Sequence, residues 1–257
     1  MGHKKRDGWR GSNEAQFFDE LIKKVGDLKL YSERDVTKFI NLIKPNSEDI
    51  ILDIGCGTGY IGAQARKGTW IGVDISKNML RIAMQRLLFV VNADARFLPF
   101  RNECINKVVC IALLHHEPRE LLNILQQVKR VLKNGGSLHV IEPSAKNAKV
   151  FLYHHPKSPL RGFCTKKEIA LFPEEVETAV KKIGLKLLSS HEINVSYKGV
   201  ERRLRRPLLR FLITTACVNV IRILVEKLLL RVLKFDFKRE SYANYFYIHA
   251  SKVKGGC

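Results

Sequence analysis

Apolar positions along this chain change period several times, and each change marks an element. Between 13 and 44, Phe17, Phe18, Leu21, Ile22 and Val25, then Val36, Phe39, Ile40 and Ile43, recur at spacings of three and four. That spacing predicts helix, and Pro45-Asn46-Ser47 ends it. Ile50–Ile54 is a short apolar run followed by glycines, the pattern of a strand buried on both faces. Trp70–Asp74, Phe89–Asp94, Val108–Leu114 and Ser137–Glu142 repeat it. Helices are expected between these strands at Ile61–Lys67, Lys77–Arg86 and Arg119–Leu132. Such alternation implies an α/β fold, a mostly parallel sheet with helices on both faces. Pro173–Ile183 predicts another helix, stopped by Gly184. Leu185–Ile193 and Tyr242–Lys252 then predict an antiparallel edge pair, for seven strands in all.

Charge divides the chain further. Lys and Arg total 45 against 25 Asp and Glu, a net +20. A surplus of that size favours phosphate-bearing or anionic-membrane partners without choosing between them. It is concentrated in residues 195–240, with 12 basic and 4 acidic residues, against 13 and 9 in residues 47–147. The expected organisation is a helical cap over 1–46, a core over 47–194 and 241–257, and a basic helical insertion over 195–240. The insertion opens with Arg202, Arg203, Arg205 and Arg206, a candidate grip for an acceptor's phosphate or a solvated face. Leu208–Leu233 follows with many apolar residues, but Arg210, Arg222, Glu226, Lys227 and Arg231 scatter around a helical projection. That disfavours one membrane-surface helix and favours two packed helices forming a lid.

Several classes fall away. The eleven uncharged residues Phe211–Ile221 are too few to cross a bilayer, which takes about 20, so no transmembrane segment is expected. The basic start has no apolar run behind it, so it does not read as a secretory signal. Six scattered cysteines contain no CxxC pair, so neither a metal site nor a disulfide scaffold is expected. A reducing, cytoplasmic setting follows.

The chemistry-bearing motif is Asp53-Ile54-Gly55-Cys56-Gly57-Thr58-Gly59, directly after a strand. Glycines allow a tight turn and close approach to a ligand, and amides of a following helix would face the same place. Position 60 is Tyr, so the spacing is GxGxG, which weighs against a dinucleotide fingerprint. No Gly-Lys-Ser/Thr follows, so a phosphate P-loop fails too.

With those residues in view, the chain resembles the class I S-adenosylmethionine-dependent methyltransferases, of the group that includes ubiquinone and menaquinone methyltransferases. The resemblance covers roughly 47–147, with further likeness at 173–193 and 242–252. It implies a Rossmann-like fold, with S-adenosyl-L-methionine as cofactor. By that likeness Asp53, Gly55, Gly57 and Gly59 wrap the methionine portion. Asp74 meets the ribose, where a carboxylate suits two hydroxyls because it only accepts, and Ile75 beside it also binds the cofactor. Asp94 and Ala95 meet the adenine. Taken alone, Asp74 could cap a helix, and Asp94 could be a solvated loop acid. One position departs from the family, whose fourth strand usually starts with an acid; here Ile105-Asn106-Lys107-Val108 stands there.

On the acceptor side, His115 and His116 follow the fourth strand and are the candidate catalytic residues. Either could be a general base near neutral pH, or could shape the loop. The quinone enzymes usually carry Arg-Asn at this place and this chain does not. Ile111-Ala112-Leu113-Leu114-His115-His116 looks more like the eukaryotic tRNA wobble-uridine methyltransferases, which use a small zinc-binding partner. The leading expectation is methyl transfer to a small apolar or anionic acceptor. RNA, a peripheral anionic membrane and a non-catalytic binding role stand as alternatives.

Overall fold

The computed structural model describes residues 13–27, 29–87, 89–158, 165, 167–196, 224, 227–233 and 243–253. Strand β1 (Ile50–Ile54) lies between β2 (Thr69–Asp74) and β4 (Ile105–Ile111), parallel to both. With β3 (Phe89–Asn92), β5 (Leu132–Pro143), β6 (Lys186–Ile193) and β7 (Tyr245–Ser251) they form one sheet, ordered β3-β2-β1-β4-β5-β7-β6. Strand β7 runs antiparallel to both β5 and β6, so the expected antiparallel pair is present and joins the sheet through β7.

Side chains of successive strand residues point to opposite faces, and both faces are apolar here. Leu52, Ile54, Val108 and Cys110 pack on one side with Leu125 and Val128 of helix α4 (Leu121–Val131) and Val176 and Val180 of α6 (Pro173–Lys182). Ile51, Val109 and Ile111 pack on the other with Phe39 and Ile43 of α2 (Glu33–Ile43). Helices thus cover both faces, as the unbroken apolar strands require. Ser32 caps α2 at its start, and Lys44, at φ 51°, ends it before Pro45. Helices α1 (Asn13–Val25), α3 (Lys77–Ala83) and α5 (Ala148–His154) also stand among the described residues.

Two expectations are corrected, and one helix stands where none is expected. Ile61–Lys67 is not a helix; it holds a single 3-10 turn, Gly62–Gln64. A seven-residue helix rises only about 10 Å, while the return to the start of β2 must span a strand about 17 Å long. A Cβ on Gly68 (φ +80°) would also stand 2.7 Å from Ile51 Cδ1, so the chain turns there on glycine. The fourth strand spans Ile105–Ile111 rather than 108–114, because Ala112, at φ 50°, bends the chain away. Helix α5 was not anticipated. Its signal was Asn147, whose side chain accepts from the amides of Lys149 and Val150.

The departure at Asn106-Lys107 has a local account. Asn106 Oδ1 accepts from Ile50 N at 3.1 Å and from Lys133 Nζ at 3.1 Å. Lys107 Nζ donates to the carbonyls of Ile43 and Lys44. These contacts, with the 3.6 Å pair of Lys107 and Asp49, tie the start of β4 to β1 and the end of α2 without an acid on β4 itself.

Arg202, Arg203, Arg205 and Arg206 lie outside the described residues, as does most of 195–240. Residues 227–232 are helical, and Leu230 is buried against Leu152 of α5. Among the described residues, no helix is long and apolar enough to cross a membrane.

Candidate active site

A cavity of about 420 Å³ opens at the carboxyl ends of β1, β2 and β4. In open α/β sheets this is where ligands bind. One wall is the turn after β1. The amides of Gly55 and Cys56 both donate to Val73 O, at 2.7 and 3.0 Å, which folds the turn onto β2. Gly55 has φ +74°, and a Cβ there would stand 2.8 Å from Leu113 Cδ1. Both facts require glycine. Because no α-helix follows, the expected cradle of helical amides is absent from this turn.

Asp74 ends β2, and its carboxylate organises the wall. Oδ2 accepts from Gly57 N at 2.9 Å and Oδ1 from Ser76 N at 2.8 Å. Ser76, not Asp74, caps α3, accepting from Met79 N. Ser76 Oγ also donates to Asp19 of α1, which accepts from Asn78 N as well. Asp94 accepts from the Arg96 guanidinium through both oxygens and from its amide. Gly55, Gly57, Asp74, Ile75, Asp94 and Ala95 line the cavity. Asp53 and Gly59 stand behind it, Asp53 at 2% exposure and Gly59 against Leu87 and Ala83.

The carboxylates divide by environment. Burial, then the charge of Asp74, pushes Asp53 up to about 7. Burial also raises Asp74, against the two amides that hold it. Burial opposes the Asp94 anion as well, but Arg96 outweighs it and holds Asp94 below the usual carboxylate range. The charge of Asp74 penalises that of Asp53, and such a pair of buried acids makes a site suited to a cation.

The opposite wall is assembled from distant segments. Glu142, fully buried on β5, accepts from Leu113 N and Leu114 N, both at 2.7 Å. This draws the chain out of β4 and sets His115, whose Nδ1 lies 2.6 Å from Glu142 Oε2. Glu168 comes back over the site because Ile169 N donates to His115 O and Ala145 N to Leu171 O. Burial alone would lower His115, but Glu142 and Glu168 override it and lift it to about 10. A group held protonated to that pH would be no general base at neutrality, which weighs against His115 in that role.

His116 is half-buried beside Phe18, its ring edge-on at 5.1 Å. Phe17, Phe18 and Leu21 of α1 and Tyr153 of α5 close the cavity over it. Glu14, 5% exposed, also faces this end, and burial raises it against the pull of Thr165 and His116. The sequence reading missed Glu14, Glu142, Tyr153, His154 and Glu168. None stands in a motif, and their grouping depends on contacts between elements far apart in the chain.

Residues 51–136 match a protein family described as a methyltransferase domain. The uncharacterized Methanocaldococcus jannaschii protein MJ1252 is 29% identical over 219 residues, 76% of this chain and 85% of its own length. An Arabidopsis thaliana tRNA (carboxymethyluridine(34)-5-O)-methyltransferase is 38% identical over 93 residues. That stretch is 35% of this chain but only 23% of the plant protein. One chain of a Haloferax volcanii complex between the Trm112 methyltransferase activator and a methyltransferase superposes with TM-score 0.65 at 15% identity. The overlap covers 95% of this chain and 99% of that one, and shows a shared fold.

Proposed function

We propose that this chain, which belongs to the class I S-adenosylmethionine-dependent methyltransferases, methylates a small acceptor enclosed beneath its N-terminal helix. The observation that carries this reading is the roof: Phe17, Phe18, Leu21 and Tyr153 close a cavity of about 420 Å³. That size falls in the range of small-molecule sites. The cofactor fits the residues present, because Asp53 and Asp74 put two buried acids at this turn, and the charge of Asp74 adds to burial in raising Asp53, which favours a cationic ligand. When bound, S-adenosylmethionine supplies a methyl group on a sulfonium, already a good leaving group.

The chain's own residues then bind and orient. Asp74 offers acceptor oxygens for the ribose hydroxyls, and Gly55 and Gly57 let the backbone come close to the methionine portion. Ile75, Asp94 and Ala95 flank the adenine, with Arg96 fixing Asp94 in place. Asp53 acts from behind the wall through its charge, and Gly59 through packing. Aromatic residues of α1 exclude water, which strengthens each polar contact inside. His116 is the remaining candidate base, needed where the acceptor must lose a proton. Otherwise positioning carries the rate. The cysteines Cys56, Cys104 and Cys110 are free, in keeping with a reducing, cytoplasmic setting.

A second reading, an RNA acceptor, is favoured by the net +20 charge and by the resemblance to the plant tRNA enzyme over 93 residues. Arg202, Arg203, Arg205 and Arg206 would then grip phosphate. Labelled cofactor incubated with the protein and fractionated cell extract separates the readings. Label in small metabolites is expected, with Phe17→Ala raising the acceptor KM. Label in RNA, with binding that weakens steeply as salt rises, overturns the small-acceptor reading; label in lipid points to a membrane acceptor instead.

A further inference from the structure

Methyl transfer does not by itself call for three imidazoles around one buried carboxylate, yet the acceptor end of the cavity has them. His115 Nε2 and His154 Nε2 lie 3.4 and 3.3 Å from Glu168 Oε1, and His116 Nδ1 lies 3.3 Å from Oε2. Donor atoms of His115, His154 and Glu168 all fall within 4.8 Å of one another, and all three residues are buried.

The far nitrogens of two of these rings are already held. His115 Nδ1 meets Glu142 Oε2 at 2.6 Å, and His154 Nδ1 donates to Val150 O at 2.8 Å. A carboxylate or a backbone carbonyl on the far nitrogen fixes the tautomer that turns the near nitrogen toward a metal. Ligand atoms about 2.1 Å from a tetrahedral zinc ion stand about 3.4 Å apart. The two Nε2–Oε1 separations match that edge. Glu14 adds a further buried carboxyl at this end of the cavity, its Oε2 3.9 Å from His116 Nδ1.

We propose that His115, His154 and Glu168 form a binding site for a divalent transition metal of zinc-like geometry, its fourth position open toward the cavity between His116 and Glu14. Two histidines, one carboxylate and an open position are the ligand set of catalytic rather than structural zinc sites. The site stands on these residues alone. Its role rests on the small-acceptor reading, where the cation would hold the acceptor through an oxygen, nitrogen or sulfur donor.

The test uses full-length protein stripped by a chelator and titrated with Zn²⁺, then separately with Co²⁺. One equivalent of zinc per chain is expected at micromolar affinity or better, with cobalt giving the intense visible absorption of a tetrahedral site. Glu168→Gln and, independently, His154→Gln should each weaken zinc by more than about tenfold, since even outer partners of ligands cost that much. Thermal melts report whether each variant folds. If neither does, the wild-type stoichiometry and cobalt spectrum still decide. No zinc uptake by the wild type, or full uptake by a folded variant, overturns the proposal. Calorimetry with S-adenosylmethionine on the same stripped samples separates the two readings. Cofactor binding without zinc uptake sinks the metal site alone; zinc uptake without cofactor binding upholds the site and sinks the cofactor reading.

Discussion

The wall that holds Gly55, Gly57, Asp74 and Asp94 comes from one stretch of chain, residues 55–94, and from three successive strand ends. The facing wall draws Glu14 from α1, His115 and His116 from beyond β4, Glu142 from β5, His154 from α5, and Glu168 from the crossing segment. The first wall's carboxylates bond mostly to amides and side chains within 17 residues, as Asp74 does to Gly57 and Asp94 to Arg96. In the second, Glu142 reaches back 27 to 29 residues to His115, Leu114 and Leu113. Local bonding shapes a ligand site on a strand end that the sheet already holds. Distant bonding makes the site and the fold one structure. Substitutions in the first wall should therefore act on the cofactor, and substitutions in the second on stability.

The largest effect is expected at Glu142. Glu142→Ala takes from the buried His115 its nearer carboxylate and leaves two amides without their acceptor, and breaking such a buried pair costs about 3–5 kcal/mol. Urea unfolding measures it, and a loss below about 1 kcal/mol would break the contrast. The pH dependence has a definite sign. His115 is raised from 6.5 to about 10 in the folded chain. In metal-free protein its contribution is therefore full below about pH 6.5 and is lost as pH rises through about 10. The gap between wild type and variant should close over that range.

Next comes Asp74→Ala. Losing a charged hydrogen-bond partner should weaken S-adenosylmethionine binding by about 1.5–3 kcal/mol in calorimetry. Its unfolding free energy should fall less than that of Glu142→Ala; the reverse order would show that the first wall is structural too.

A smaller effect should follow from Asp53, whose carboxyl titrates near 7. The ionised form attracts a cationic ligand and the protonated form does not. Affinity for the cofactor should thus rise as pH climbs toward 7, by at most about tenfold per pH unit, and level off above it. Asp53→Asn should flatten that slope, and an unchanged slope would place the titrating group elsewhere.

The smallest effect is expected at Lys167. Its 2.9 Å pair with Glu117 holds the crossing segment from outside, but Lys167 is half exposed. Such pairs contribute about 0.2–1 kcal/mol, so Lys167→Ala should change stability little. A loss near that of Glu142→Ala would mean that the surface pair, not buried Glu168, fixes the segment.

Alternating apolar runs and the GxGxG turn were enough to read the strands, their mostly parallel pairing and a turn that lines the cavity, because each is written within a few adjacent residues. A strand buried on both faces must be apolar throughout, and a turn at φ +74° that also approaches Leu113 must be glycine. The same local logic failed at Ile61–Lys67. Helical spacing was present, but the length needed to return along β2 was not visible in it. His115 and His116 were legible as candidates, while the protonation of His115 was not, since that depends on Glu142 and Glu168 arriving from elsewhere. Residue order thus settled the sheet and the side of it that faces a ligand. Which acids surround which histidines, and so what charge they carry and what they can hold, was settled by packing, because electrostatics depends on distance in space and on burial.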